Sequence, residues 1–269
     1  MIMSQNIHPS AIIESGAELD QGVSVGAFAY IGAHVRLGKN VQVGHHALVE
    51  GHTTIGEGTE IFSHAKIGVT PQDLKFKGEP GRLIIGKNNK IRESASIEFG
   101  TEGGGMETRL GDHNLMMINA HIAHDGHIGD GNVFGMCAGT AGHVIIGSGV
   151  RIASLCGVHQ FVRIGDLSYI GLSAIINRDV MPFSLIDQNS LLIGQNLTGM
   201  RRAGIENSNI REVQNLCELL CDQEHGNIEG RIAQASEMNL SSPEAQKVLA
   251  FVQEKTSQGI LISSSKCDG

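Results

Sequence analysis

Tryptophan is absent from the 269 residues, tyrosine occurs twice, and aromatics reach only 4%. A core without bulky rings has to be closed by aliphatic side chains in thin layers, and the 36 glycines point the same way. No apolar run of 18 or more residues is present, which excludes a transmembrane helix. The opening residues, MIMSQNIHPSAII, lack the charged, apolar and cleavage regions of a signal peptide, so export is not expected. A basic excess is missing too: the net charge of −8 argues against general nucleic-acid binding. The five cysteines (Cys137, Cys156, Cys217, Cys221, Cys267) form no CxxC pair and no disulfide-like framework. Reduced thiols in the cytosol are the simplest expectation, and Cys137 and Cys156 suggest no function.

What is present is a repeat. Ile, Leu or Val stands at every sixth residue from Ile7 to Ile67, then at Ile85, Ile91 and Ile97. After a slip of one residue the period runs from Leu110 to Ile176, with only Met116, Phe134 and Thr140 departing from it. Such regularity over 23 of 26 positions sets the architecture. Four residues after each aliphatic comes a small or β-branched residue (Ala11, Ala17, Val23, Ala29, Val35, Val41). One residue after it, glycine recurs at Gly26, Gly32, Gly38, Gly44 and Gly56. These columns predict a coil with three short flat faces, aliphatics inward, and Gly or Asn permitting the turns. Three hexapeptides make an 18-residue coil, and coils stack as parallel strands about 4.7–4.9 Å apart. The signature resembles the left-handed parallel β-helix of the hexapeptide-repeat acyltransferases, and the handedness is implied by that resemblance alone.

Two segments break the period, 68–84 (GVTPQDLKFKGEPGRLI) and 98–109 (EFGTEGGGMETR), and are expected as extruded loops. Loops on a rigid scaffold often carry function. The repeat stops near Pro182, and Ile210, Val213, Leu216, Cys217 and Leu220 then recur at helical spacing. Ser242, Pro243 and Glu244 read as an N-cap, a first-turn proline and a dipole-complementing acid. The expected fold is therefore an all-β left-handed parallel β-helix over residues 1–189 with a small C-terminal α-helical domain over 190–269.

His121, His124, His143 and His159 all lie inside the repeat. At 18 residues per coil, position 142 falls one coil above His124 and Gln160 two coils above, with His143 and His159 within one residue of that line. Each histidine alone could be an ordinary exposed turn residue; the stacked set reads as a site. HIAHDGH offers His121, His124 and His127 as zinc ligands, but the spacing differs from the metal-binding hexapeptide proteins, and no metal is expected. General base catalysis suits the group better, because a hydroxyl is a poor nucleophile until its proton is taken and imidazole titrates near working pH. Asp125 could orient the ring of His124, and the N–H of Gly142 could receive an oxyanion. From spacing alone this says acyl transfer and no more.

The strings PQDLKFKGEP (71–80), INAHIAHD (118–125), AGHV (141–144), VHQFVRIG (158–165) and NLTGMRRAG (196–204) resemble the UDP-N-acetylglucosamine O-acyltransferases that open lipid A synthesis. The likeness covers nearly the whole chain. It implies His124 as base supported by Asp125, Gly142 as oxyanion donor, and Gln72, Asp73, His121 and His143 holding the sugar. It places His159, Gln160, Asn196 and Arg202 along the nucleotide and pantetheine region, arginine being suited to a diphosphate. It further implies an acyl carrier protein donor bearing phosphopantetheine, a UDP-amino sugar acceptor, no tightly bound cofactor, a homotrimer with sites between subunits, and the cytoplasm of a Gram-negative-type bacterium.

Two residues depart from that family's pattern. Thr198 stands where many members carry a carboxylate, which leaves open the nucleotide affinity and whether the acceptor bears a 3-hydroxyl or a 3-amine. Leu172 stands where long-chain members have glycine at the floor of the acyl groove, so a shorter acyl chain is expected. Lys75, Lys77, Arg82, Lys87, Lys90 and Arg92 against Glu79 read as a basic patch for an acidic carrier protein, with Lys75 also among the substrate-binding residues. Three alternatives fit the sequence less well. The sibling N-acyltransferase of the pathway carries an extra N-terminal domain, for which a repeat starting at Ile7 leaves no room. A small-molecule acetyltransferase would not be expected to match INAHIAHD and VHQF together. A structural or ice-binding solenoid needs neither stacked histidines nor an extruded loop.

Overall fold

The computed structural model describes residues 6–222, 224 and 226–262. Through the repeat its strands are mostly two residues long, one residue outward and the repeated aliphatic inward. Val25, Ile31, Leu37, Val43 and Val49 are each at most 4% exposed, so the column of aliphatics is the core. The strands stack into three sheets of eleven, nine and eight members, here called first, second and third. In the first, Ile7 pairs with Val25 and Val43 with Ile61, 18 residues apart. Ile61 then pairs with Ile91, and Ile91 with Met116, so the coil lengthens where segments are extruded.

Both extrusions leave the same corner, between the second and third sheets, in adjacent coils. They are shorter than the gaps in the aliphatic pattern. Lys66–Val69, Arg82–Ile85, Ser96–Glu98 and Glu107–Leu110 are strands, and Arg82 pairs with both His52 and Glu107. Backbone groups must be paired whatever the side chains. Pairing with the neighbouring coils therefore persists past the repeat, and of the two segments only 70–81 and 99–106 lie outside the strands.

Gly or Asn makes part of the turns, as expected: Gly16, Gly22, Asn40, Gly58 and Asn88 adopt left-handed φ three residues after an aliphatic. The residue three places after the aliphatic adopts left-handed φ at corner after corner, including Phe28 (57°), His46 (58°), Asp125 (58°), His143 (61°) and Phe161 (64°). Gly26 and Gly44, one place after the aliphatic, do not. A Cβ at these two would lie 2.6 Å from the His45 nitrogen and 2.7 Å from the Ser63 nitrogen of the next coil. Glycine there allows close stacking of coils; the left-handed conformation, costing roughly 1–2 kcal/mol where a side chain is present, falls two residues later, at Phe28 and His46.

The solenoid ends in an antiparallel pair, Ser184–Ile186 with Leu192–Gln195, followed by α1 (Leu197–Arg202), α2 (Asn207–Cys221), α3 (Ile228–Glu237) and α4 (Pro243–Gln253). α2 buries Ile210, Val213, Leu216, Cys217 and Leu220, and the Ser242 hydroxyl caps α4 by accepting the Ala245 N–H at 3.2 Å. Arg163, on the outer face of the third sheet, ties α4 down. Its guanidinium donates to Asp179 (2.9 Å), Glu254 (2.6 Å) and the Phe251 carbonyl (3.1 Å) and lies 4.2 Å over the Phe251 ring.

Candidate active site

His121 faces outward on the second sheet; His124 and Asp125 form the corner that follows, and Gly142 and His143 the same corner one coil on. The left-handed turn throws the side chains of Asp125 and His143 to one side, where they meet. His124 Nδ1 lies 2.7 Å from Asp125 Oδ2, and His143 Nδ1 lies 3.6 Å from the same oxygen. The Asp125 carboxylate is fully buried and held by Thr101, whose N–H donates to Oδ1 at 2.7 Å and whose hydroxyl donates to Oδ2 at 2.6 Å. With that carboxylate accepting at Nδ1, the consistent tautomer of His124 carries its proton there and presents a lone pair at Nε2.

That Nε2 lies over Gly142. A Cβ on Gly142 would stand 2.7 Å from Nε2 and 2.5 Å from Cε1, so the imidazole occupies the space a side chain would need. The hexapeptide turn does not pair the N–H two places after the aliphatic with any backbone carbonyl. Where this N–H is met, a side chain meets it: Glu98 takes that of His124 at 3.1 Å, and Asp166 takes that of Ser148 at 2.8 Å. Among the described residues nothing takes the N–H of Gly142. The corner thus offers a base and an open donor side by side.

The two extruded segments close over this corner. Phe76 packs edge-on against Phe99 at 5.6 Å, and the Glu102 N–H donates to Glu79 at 3.2 Å. Gln72 donates to Glu98 at 2.9 Å, while Asp73 stays within its own turn, accepting the Lys75 N–H at 3.0 Å. Asp73 and Lys75 lie close enough to bias His143 electrostatically in opposite directions. Burial pushes both His121 and His143 below the ordinary imidazole range, opposed by Glu98 for His121 and by Asp125 for His143. Both rings are therefore held toward the neutral form, able to donate at one nitrogen and accept at the other.

Gln72, His121, His124, Asp125, Gly142 and His143 thus come together, with Asp73 and Lys75 beside them. His159 and Gln160 sit on the next turn of the same corner, exposed. Asn196, Arg202 and Leu172 do not join them. They line a cleft of about 1080 Å³ on the outer face of the first sheet beneath α1, with Arg151, Arg201 and Thr198. The Asn196 amide is engaged within the fold, accepting the Gly199 N–H at 2.9 Å and donating to the Leu167 carbonyl at 2.8 Å. His127 is carried round to the third sheet, so the trio His121, His124 and His127 does not converge. The group with metal-ligating atoms within 4.8 Å of one another is His124, Asp125 and His143. Its contacts meet at Asp125 Oδ2, which already accepts from Thr101.

The basic patch is not one surface. A coil carries neighbouring residues round all three faces: Arg82 is on the third sheet, Lys90 on the first, Arg92 at the turn beyond. Acids from other coils or adjacent in sequence meet three of the six: Glu107 with Arg82 (2.7 Å), Glu60 with Lys90 (3.4 Å) and Glu93 with Arg92 (3.0 Å). Lys75 and Lys77 lie on the extruded 70–81 segment, and Lys75 is close enough to His143 to bias it electrostatically.

Sequence reasoning missed Thr101, Glu98, Ser96 and Phe161. Phe161 stacks on His143 (4.5 Å, 7° between planes). It lies 18 residues after His143, so the column that aligned the histidines also contained it. Glu98 and Thr101 were hidden because the insertion displaces them from that count.

The family profile described as UDP N-acetylglucosamine O-acyltransferase, domain 2, matches residues 179–261. An acyl-[acyl-carrier-protein]–UDP-N-acetylglucosamine O-acyltransferase from Aliarcobacter butzleri is 52% identical over 198 residues, covering 73% of this chain and 76% of its own. A crystal structure of a UDP-N-acetylglucosamine acyltransferase superposes with a TM-score of 0.92 at 36% identity, covering 97% of this chain and all of that one. The UDP-N-acetylglucosamine acyltransferase of Campylobacter jejuni gives 0.89 at 32% identity, covering 96% and 100%.

Proposed function

The chain belongs to the UDP-N-acetylglucosamine O-acyltransferases, and from that premise we propose how its residues divide the work. It is a left-handed parallel β-helix enzyme that transfers an acyl group from acyl carrier protein to UDP-N-acetylglucosamine, the first step of lipid A biosynthesis. The acyl group is a 3-hydroxyacyl chain held as a thioester on the carrier's phosphopantetheine. His124 Nε2 removes the proton of the sugar 3-hydroxyl as its oxygen attacks the thioester carbonyl. Asp125 holds the ring and stabilises the imidazolium, and the Gly142 N–H receives the charge on the carbonyl oxygen. Collapse expels the thiolate, which takes the proton back from His124. Gln72, Asp73, Lys75, His121 and His143 hold the sugar, and His159 and Gln160 the neighbouring part of the substrates. Lys75 and Lys77 help receive the acidic carrier, and no metal or tightly bound cofactor takes part. The single observation that carries this assignment is the 2.7 Å contact of His124 with Asp125, which turns Nε2 toward an unpaired N–H. No helix among the described residues is long and apolar enough to cross a membrane, and the enzyme works in the cytoplasm on carrier-bound acyl groups.

The base and the arginine-lined cleft lie on different faces of one chain, so a complete site needs a neighbouring copy. We assign the working unit as a three-fold ring in which Asn196, Arg202 and Leu172 of one subunit face His124 of the next. Co-expression of His124→Ala and Arg202→Ala chains, each poorly active alone, tests this. Random mixing into trimers should rebuild about a quarter of the sites with both groups intact. Mixed trimers no more active than the two parents would mean that each site lies within one chain.

Leu172 is 53% exposed in the single chain and projects into the cleft, where a second subunit would close over it. Its side chain takes up length that an acyl tail would otherwise use. Wild-type enzyme should transfer shorter 3-hydroxyacyl groups to UDP-N-acetylglucosamine best, and Leu172→Gly should move the optimum to longer chains. Competition among donors of graded length measures this; an unchanged profile removes the ruler role. No transfer at any length would direct attention to Thr198 and a 3-amino acceptor.

A further inference from the structure

Glu98 is 1% exposed, yet among the described residues no lysine or arginine pairs with it. It stands where the second extruded segment leaves the solenoid. Its Oε1 accepts the Gln72 amide of the first segment at 2.9 Å and lies 3.8 Å from His121 Nε2. Its Oε2 accepts the backbone N–H of His124 at 3.1 Å. A buried carboxylate is costly unless its neighbours compensate. Here the compensation comes from three groups contributed by two stretches of chain, Gln72 on the first extruded segment and His121 with the His124 N–H on the solenoid corner.

We propose that Glu98 is a positioning residue, whose charged carboxylate fixes Gln72, His121 and the main chain of His124 in the arrangement that receives the acceptor sugar. This rests on the acyl-transfer reading above. The site then contains two carboxylate–imidazole pairs with different tasks. Asp125 lies in hydrogen-bond contact with the base. Glu98 stands just beyond hydrogen-bond distance from His121, whose Nδ1 is already taken by the Ser96 hydroxyl at 2.8 Å. His121 therefore keeps Nε2 free, under the influence of Glu98 on one side and His124 on the other; Gly139, its neighbour in the next coil, brings no charge. Because Gln72 and the His124 N–H share one carboxylate, displacement of the 70–81 segment would be felt at the catalytic corner. Glu98 itself is too buried to touch substrate.

Glu98→Gln tests this, since it keeps the shape and removes the charge: its oxygen can still accept the His124 N–H, and its NH2 can donate to Gln72 once that amide turns over. The KM for UDP-N-acetylglucosamine is expected to rise by ~10-fold or more with a smaller change in kcat, the signature of lost acceptor positioning. The His121 ring, followed by NMR in the substrate-free protein, should titrate at lower pH than in wild type, because the carboxylate that favours its charged form is gone. Gln72→Ala should reproduce part of the KM effect and leave the His121 titration in place, and Glu98→Asp should fall between wild type and Glu98→Gln. An unchanged KM, or a His121 titration that stays put or moves upward in Glu98→Gln, would overturn the proposal. The titration needs no substrate, so it stands even if wild-type enzyme proved not to use UDP-N-acetylglucosamine; that result would sink the functional reading and leave the Glu98 contact to be judged by NMR.

Discussion

His124→Ala is expected to lower kcat by ~10²–10⁴-fold, the range over which a positioned general base acts, with the fold unchanged. Among the described residues the ring's only hydrogen bond through a side-chain atom goes to Asp125, which Thr101 still holds when the ring is gone. Asp125→Asn should come close to it for a different reason. Thr101 donates to both carboxylate oxygens, and His124 donates to one of them. An asparagine that keeps its oxygen on the Thr101 N–H must turn its NH2 toward His124 Nδ1. The ring then has to accept at Nδ1 and carry its proton on Nε2, which leaves no base. Steady-state transfer of a 3-hydroxyacyl group, alongside thermal unfolding to confirm the fold, measures both variants. Retention of more than a tenth of wild-type kcat by His124→Ala would remove it from the role of base.

The second large effect expected is at Gly142. An alanine there would put a methyl group 2.5 Å from His124 Cε1, well inside van der Waals contact, and the ring would have to swing away from the N–H it overlies. Alanine keeps the backbone N–H, so the loss comes from displacing the imidazole, whose action as a positioned base is worth ~10²–10⁴-fold, and from a methyl group crowding the space beside that N–H. Gly139→Ala is the control. It lies three residues earlier, on the strand leading to the same corner, where the nearest atom to a new Cβ is His121 Cβ at 3.8 Å. Gly139→Ala should keep near-normal kcat while Gly142→Ala loses at least ~10²-fold. Equal behaviour of the two would show that backbone space beside His124 does not matter to the reaction.

The stacked set of histidines was legible because 18-residue arithmetic is a property of the repeat: His124, Gly142 and Gln160 fall on one line whatever the coordinates. That arithmetic fails across insertions. Glu98 and Thr101 are 26 and 24 residues from their partners His124 and Asp125, distances with no meaning in an 18-residue period. The basic cluster at 75–92 failed for the opposite reason. Residues close in sequence were read as close in space, although a chain that turns a corner every six residues carries them to different faces.

By itself the sequence determined the solenoid, its coil length and the corner that gathers the histidines, because a periodic aliphatic column can be buried in only one way. It also marked the helical tail, through helical spacing and the Ser242 cap. Only the tertiary structure decided which side chains bear the left-handed turns, that Thr101 and Glu98 clamp Asp125 and His124 from an extruded segment, and that the arginine-lined cleft opens on another face from the base. Those features depend on how far an insertion reaches and which way each corner points, and no local pattern of residue types encodes a direction in space.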